Sequence, residues 1–183
     1  CVIAYISMEE EITTNTLRQL GYTYFEAEDK WGISDFACDY IHINKNNIDI
    51  NIPGTLGIIQ AYSVWSDNKM MDIYPELDVK QYLGNSSMHP KLNFIYATLA
   101  DMSVEFLLKL KDDSTAVLLI DSNNEHGMAE QRRLFMELMT ENCSVPVIIE
   151  RYYNNLSPGR LQLDAAIDMG ALLIDGLGDG ILI

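Results

Sequence analysis

Apolar runs and amphipathic stretches alternate along the second half of the chain. Leu92 to Leu99 (LNFIYATL) predicts a buried strand, and Ser103 to Lys111 a short helix with Val104, Leu107 and Leu108 on one face. Ala116 to Ile120 predicts a strand, followed by a helix from about Met128 to Asn142 that turns Leu134, Phe135, Leu138 and Met139 inward. Glu130, Arg133, Glu137 and Glu141 of that helix then face water. Val145 to Ile149 is the next strand, and Ser157-Pro158 reads as a cap with proline at the first helical position. That helix is expected to end near Gly170, with Ala171 to Ile174 as a further strand. Continuous apolar strands separated by amphipathic helices indicate a parallel sheet covered on both faces.

The first half is less regular. Val2 to Ile6 predicts a strand, and Ser7 with Glu10 makes a capping box before a helix carrying Ile12, Thr16 and Leu20. Asp39 to Ile43 and Gly57 to Ser63 are further strands, set among Asn-rich and Pro-containing loops such as NKNNIDINIPG. Seven strands with helices missing from the middle predict an α/β, TIM-barrel-like fold, incomplete or decorated. An open doubly wound sheet is the alternative. At 183 residues the chain is short for a complete (β/α)8 barrel of about 250 residues, yet long enough for one core. Nothing in its composition divides residues 1–183, which read as a single α/β domain. The opening Cys1 and the apolar ending ILI read as a fragment of a larger chain.

Charge narrows the partners. Twelve basic against 27 acidic residues leave a net charge of -15, and the basic residues form no run. Nucleic acid and anionic membranes need clustered Lys or Arg, so neither is an expected partner. Cys1, Cys38 and Cys143 are odd in number and lack CxxC spacing, which argues against a disulfide framework or a structural zinc site and for a reducing compartment.

Reactive groups in parallel α/β folds follow the C-terminal ends of the strands. There the sequence puts Asp101, Asp121, Glu150 with Arg151, and Asp175. Such a ring of carboxylates is able to hold a hard divalent metal or supply a general acid and base, and equally to cap the helices that follow. The loop DSNNEHG contains His126, a titratable group near neutral pH or a loop anchor. GLGDG, with Gly176, Gly178 and Asp179, reads as a phosphate nest or as a tight turn closing the barrel. It lacks the Lys and Ser/Thr of a P-loop, and no residue pattern supports a nucleophile or a Schiff base.

DAAIDMGALLIDGLGDGILI, NNEHGMAEQRRLFMELM and TLGIIQAYSVW together resemble the large insert of three-domain 4-hydroxy-3-methylbut-2-enyl diphosphate synthase, an enzyme of non-mevalonate isoprenoid biosynthesis. The resemblance implies a TIM-like spacer without chemistry of its own, set between a catalytic barrel and a domain whose [4Fe-4S] cluster is held by three cysteines and a glutamate. Those two domains of the same polypeptide would be its partners, and no cofactor is expected in the chain itself. The location implied is the cytoplasm of a bacterium, or the plastid of a plant. LLIDGLGDG is similar to the GIGDT turn of the catalytic barrel, with Gly180 where that turn has its hydroxyl, and Cys1, Cys38 and Cys143 match none of the cluster ligands. A free-standing metal- or phosphate-dependent enzyme using Asp121, Glu150 and Asp175 is the alternative.

Overall fold

The computed structural model describes residues 1–7, 10–84 and 87–183. Its main sheet closes into a barrel of parallel strands, first strand against last. The α/β barrel expected from the apolar runs is thus present, and the open sheet is not. The chain forms two compact units, Cys1–Pro75 and Glu76–Ile183.

In the first unit, β1 (Val2–Tyr5) is followed by α1 (Thr14–Gln19). The helix begins later than the Ser7 box suggested. Thr13 caps it, its hydroxyl accepting from the Thr16 N–H, and the Thr16 hydroxyl returns to the Thr13 backbone. A two-stranded antiparallel hairpin, β2 (Tyr22–Phe25) and β3 (Lys30–Ile33), follows and belongs to a separate sheet. Next come β4 (Tyr40–His42), β5 (Gly57–Ala61) and α2 (Tyr62–Asn68). Tyr62 and Ser63, expected at the end of a strand, therefore open a helix. Ile41, Ile43, Ile58, Trp65 and Leu17 meet in this unit's core, where the Trp65 indole N–H donates to the Ile73 carbonyl at 2.8 Å.

β6 (Ile73–Asp78) runs through a stretch read from sequence as loop, and Asp78 at its end caps α3 (Val79–Leu83) through a box with Gln81. The second unit continues with β7 (Asn93–Ala97), α4 (Val104–Asp112), β8 (Ala116–Ile120), α5 (Gly127–Thr140) and β9 (Val147–Glu150). On α4 the buried residues are Phe106, Leu107 and Leu110, whereas Val104 and Leu108 are exposed. On α5 Leu134, Phe135 and Leu138 are buried as expected, and Met139 is exposed.

The final helix starts at Pro158 as α6 (Pro158–Ala165), passes through a π turn at Ala166–Gly170 and continues as α7 (Ala171–Ile174). Ala171 to Ile174 is therefore helix and not strand. A four-residue apolar run carries no period that separates the two. Gly170 stays helical at φ -61, so it does not stop the chain. The last strand is β10 (Gly180–Leu182), paired with β9. No helix of the described residues is long and apolar enough to cross a membrane.

Candidate functional site

Side chains alternate across a strand, so the outward set fixes the inward one. Ile95 and Ala97 of β7, Leu118 and Ile120 of β8, and Val147 and Ile149 of β9 all join the core under the helices. Tyr96, Asp121 and Glu150 therefore project from the opposite face, into the barrel mouth at the C-terminal strand ends. Glu76 of β6 is two residues before Asp78 and acts electrostatically on both Tyr96 and Glu150.

Glu150 is the buried centre of this group, 1% exposed. The Tyr152 hydroxyl donates to its Oε1, and its Oε2 is buried without a hydrogen-bond partner among the described residues. Burial pushes its carboxyl up to about 8; the Tyr152 hydrogen bond opposes this, and the Glu76 and Asp121 charges reinforce it. Asp121 accepts from the Tyr96 hydroxyl at 3.2 Å and from the Ser122 N–H at 2.6 Å. The Tyr96 phenol is raised above its ordinary range by burial and then by Asp121 and Glu150. The groups that set the potential here are carboxylates and phenols.

Arg151, the cation next to Glu150 in sequence, faces elsewhere by the same alternation. Its Nη1 donates to the carbonyls of Ser122 at 3.0 Å and Asn124 at 3.3 Å, its Nη2 to that of Glu125 at 3.3 Å, and its Nε lies 3.5 Å from Asp168. Asp168 also accepts from Tyr153 at 3.0 Å, and burial with that hydrogen bond pushes the Tyr153 phenol up to about 12. The polar loop after β8 is thus folded onto a buried guanidinium. Gly127 makes room for it, since a Cβ there would sit 2.2 Å from Nη1. Ser122 Oγ and Asn124 Nδ2 donate to Glu130, closing the loop from the other side. Gln131 ties β8 to β9, its amide donating to the carbonyls of Ile120 at 2.9 Å and Glu150 at 3.0 Å. The positioning roles of Gly127, Gln131 and Tyr152 went unread in the sequence. Glycine at the first position of a helix, where it is a poor helix former, is the one local signal.

Of the residues singled out from sequence, the structure brings Asp121 and Glu150 together. His126 is exposed at the start of α5 and its side chain caps nothing. Asp101 caps a 3-10 turn, accepting from the N–H and hydroxyl of Thr98 at 2.8 Å each. Asp175 follows a helix and not a strand, and pairs with Arg132 of α5 at 2.5 Å. GLGDG is the connection into β10, at the N-terminal ends of the strands and hence away from the mouth. Gly176 and Gly178 have φ of +75 and +92, and Asp179 accepts through its carboxylate from the Val147 N–H at 2.9 Å while donating its own N–H to the Val147 carbonyl at 2.7 Å.

Among the described residues no three His, Cys, Asp or Glu side chains are arranged to hold an ion. Cys1 is exposed, whereas Cys38 and Cys143 are buried in separate cores, and burial pushes the Cys38 thiol up to about 11. These cysteines do not fit an iron-sulfur cluster, which needs thiolates converging on one point.

The structure defines a parallel α/β barrel whose strand ends in the second unit carry carboxylates and phenols. Its sequence is similar to part of several bacterial proteins described as 4-hydroxy-3-methylbut-2-en-1-yl diphosphate synthase (flavodoxin). Identity is 30% over 145 residues with that of Parabacteroides distasonis, 33% over 148 residues with that of Phocaeicola vulgatus, and 31% over 146 residues with that of Bacteroides fragilis. These alignments take in 79%, 81% and 80% of the chain but 23%, 24% and 23% of the relatives. The chain thus spans about a quarter of the length of the relatives it matches and corresponds to one part of them. No family model matches it, and no solved structure matches it.

Proposed function

We propose that the chain is the non-catalytic insert of a three-domain 4-hydroxy-3-methylbut-2-enyl diphosphate synthase, acting in non-mevalonate isoprenoid biosynthesis. It is a single structural module that holds the iron-sulfur domain of the same polypeptide over the catalytic barrel. The cyclic diphosphate and the [4Fe-4S] cluster belong to those other domains. The observation that carries this reading is the polarity of the mouth. Glu76, Asp121 and Glu150 act there with two phenols, and the neighbouring cation, Arg151, is spent on loop carbonyls and Asp168. A diphosphate entering this mouth would meet like charge, whereas a working site would present cations or N–H groups to it. Cys38 and Cys143, buried in separate cores and joined by no disulfide, support a reducing compartment such as the bacterial cytoplasm.

The parent synthase carrying Asp121→Asn and Glu150→Gln together tests the proposal. Turnover of the cyclic diphosphate should stay within a few-fold of the unaltered enzyme. Loss of a true general acid or base typically costs about 100-fold or more. A fall of that size in a protein of unchanged stability would instead favour the second reading, a barrel enzyme in its own right. What favours that alternative is Glu150 itself, a carboxyl held protonated near neutral pH beside a tyrosine.

A further inference from the structure

We infer that the solvent face of the last helix, with the adjoining edge of α5, is the surface on which the rest of the synthase polypeptide packs. The inference rests on the spacer reading and says which face does the work.

The outer helices of a barrel bury one apolar stripe against the strands and show water a polar one. The run from Pro158 to Ile174 does otherwise. Met169 and Leu172 are buried, and α6 has no buried residue. Leu163, Ile167, Leu173 and Ile174 are exposed, Ile174 by 87%. Leu163 and Ile167 are four residues apart, neighbours on one helical face, and Leu173 and Ile174 are exposed beyond the π turn. Gly170 lies in the gap, and a Cβ there would meet nothing within 4 Å. The π turn at Ala166–Gly170 sits under this stripe, a feature that often marks functional positions in helices.

α5 extends the patch. Its Arg132 reaches Asp175 at 2.5 Å, fixing that side of α5 against the end of α7. Met136 and Met139 follow Arg132 by four and seven residues, so they share its side, and both are exposed.

The charges around the patch are matched within the chain: Arg160 with Asp164 at 2.8 Å, Arg132 with Asp175, and Arg151 with Asp168. What remains free is apolar, which suits a permanently packed protein surface and not a nucleic acid or an anionic membrane. The relatives supply the occupant. About three quarters of their length lies outside the part this chain matches, and a spacer transmits position only through a packed contact with that remainder.

Thiol accessibility in the full-length synthase tests this. Ile167→Cys and Ile174→Cys are compared with Asn123→Cys, an exposed position in the loop after β8, by timed maleimide labelling read peptide by peptide in a mass spectrometer. Expected is labelling at least tenfold slower at 167 and 174 than at 123, independent of protein concentration, with Ile174→Lys making a 167 cysteine label at the control rate. Equal rates at all three sites overturn the assignment. So does protection that vanishes on dilution, because the occupant would then be a second copy. Failure of the spacer reading itself shows separately, as lost turnover in the Asp121→Asn, Glu150→Gln enzyme.

Discussion

Replacing Glu150 by Gln should stabilise the protein above neutral pH and remove a defined piece of its pH dependence. The carboxyl ionises at an ordinary value of 4.5 when exposed in the unfolded chain, and at about 8 in the folded one. Between those values the native state holds a proton that the unfolded state has lost. Stability contributed by this group is therefore complete below pH 4.5, declines as pH rises and levels off above pH 8. At about 1.4 kcal/mol per pH unit, the loss is on the order of 3 kcal/mol by pH 7 and 5 kcal/mol above pH 8. Gln keeps the shape and an oxygen for the Tyr152 hydroxyl, yet never ionises. Urea unfolding of wild type and variant from pH 5 to pH 9 is the assay, and the informative quantity is their difference, which cancels every other titrating group. The two proteins should match near pH 5, and the variant should lead progressively by pH 8. A difference constant to within about 0.5 kcal/mol across that range would refute the account of Glu150 as a desolvated, proton-holding carboxyl.

The two turn glycines should respond unequally to alanine. At Gly178 both φ and space are against a side chain, since a Cβ would lie 2.8 Å from Cδ1 of Ile149, so Gly178→Ala should cost about 2 to 3 kcal/mol. Gly176 has the positive φ with open space around it, so its alanine variant should cost about 1 kcal/mol. Thermal unfolding ranks the two, and the reverse order would contradict the packing against Ile149. Arg151→Met keeps much of the volume but leaves Asp168 without its ion-pair partner and three loop carbonyls without a donor, so it should cost about 3 to 5 kcal/mol. A loss under about 1 kcal/mol in urea would mean that the loop after β8 does not depend on the guanidinium.

What was legible in the sequence were the elements whose pattern repeats. β7, β8 and β9 are apolar runs with no competing reading, and α5 shows its buried stripe over four turns. β6 was hidden because Pro75 interrupts DIYPELD, and proline counts against an interior strand. The β2–β3 hairpin was hidden by its FEAEDK turn, which lacks an Asn-Gly or Asp-Gly signal; its left-handed position is taken by Asp29 at φ +51. α7 was misread because ALLI suits strand and helix equally. The short apolar pieces near the end of the chain were thus assigned one element too early, and this moved Asp175 and GLGDG to the wrong end of the barrel.

The candidate site shows the same limit at the level of single residues. Adjacent carboxylates and an arginine at strand ends look like one polar rim when read along the chain. Alternation divides them: Glu150 enters the mouth and Arg151 leaves it. With the arginine turned outward to hold the loop after β8, the strand ends of the second unit keep acids, phenols and a buried proton. The loop after β8 is fastened to the protein's own side chains, and the last helix carries Leu163, Ile167, Leu173 and Ile174 exposed.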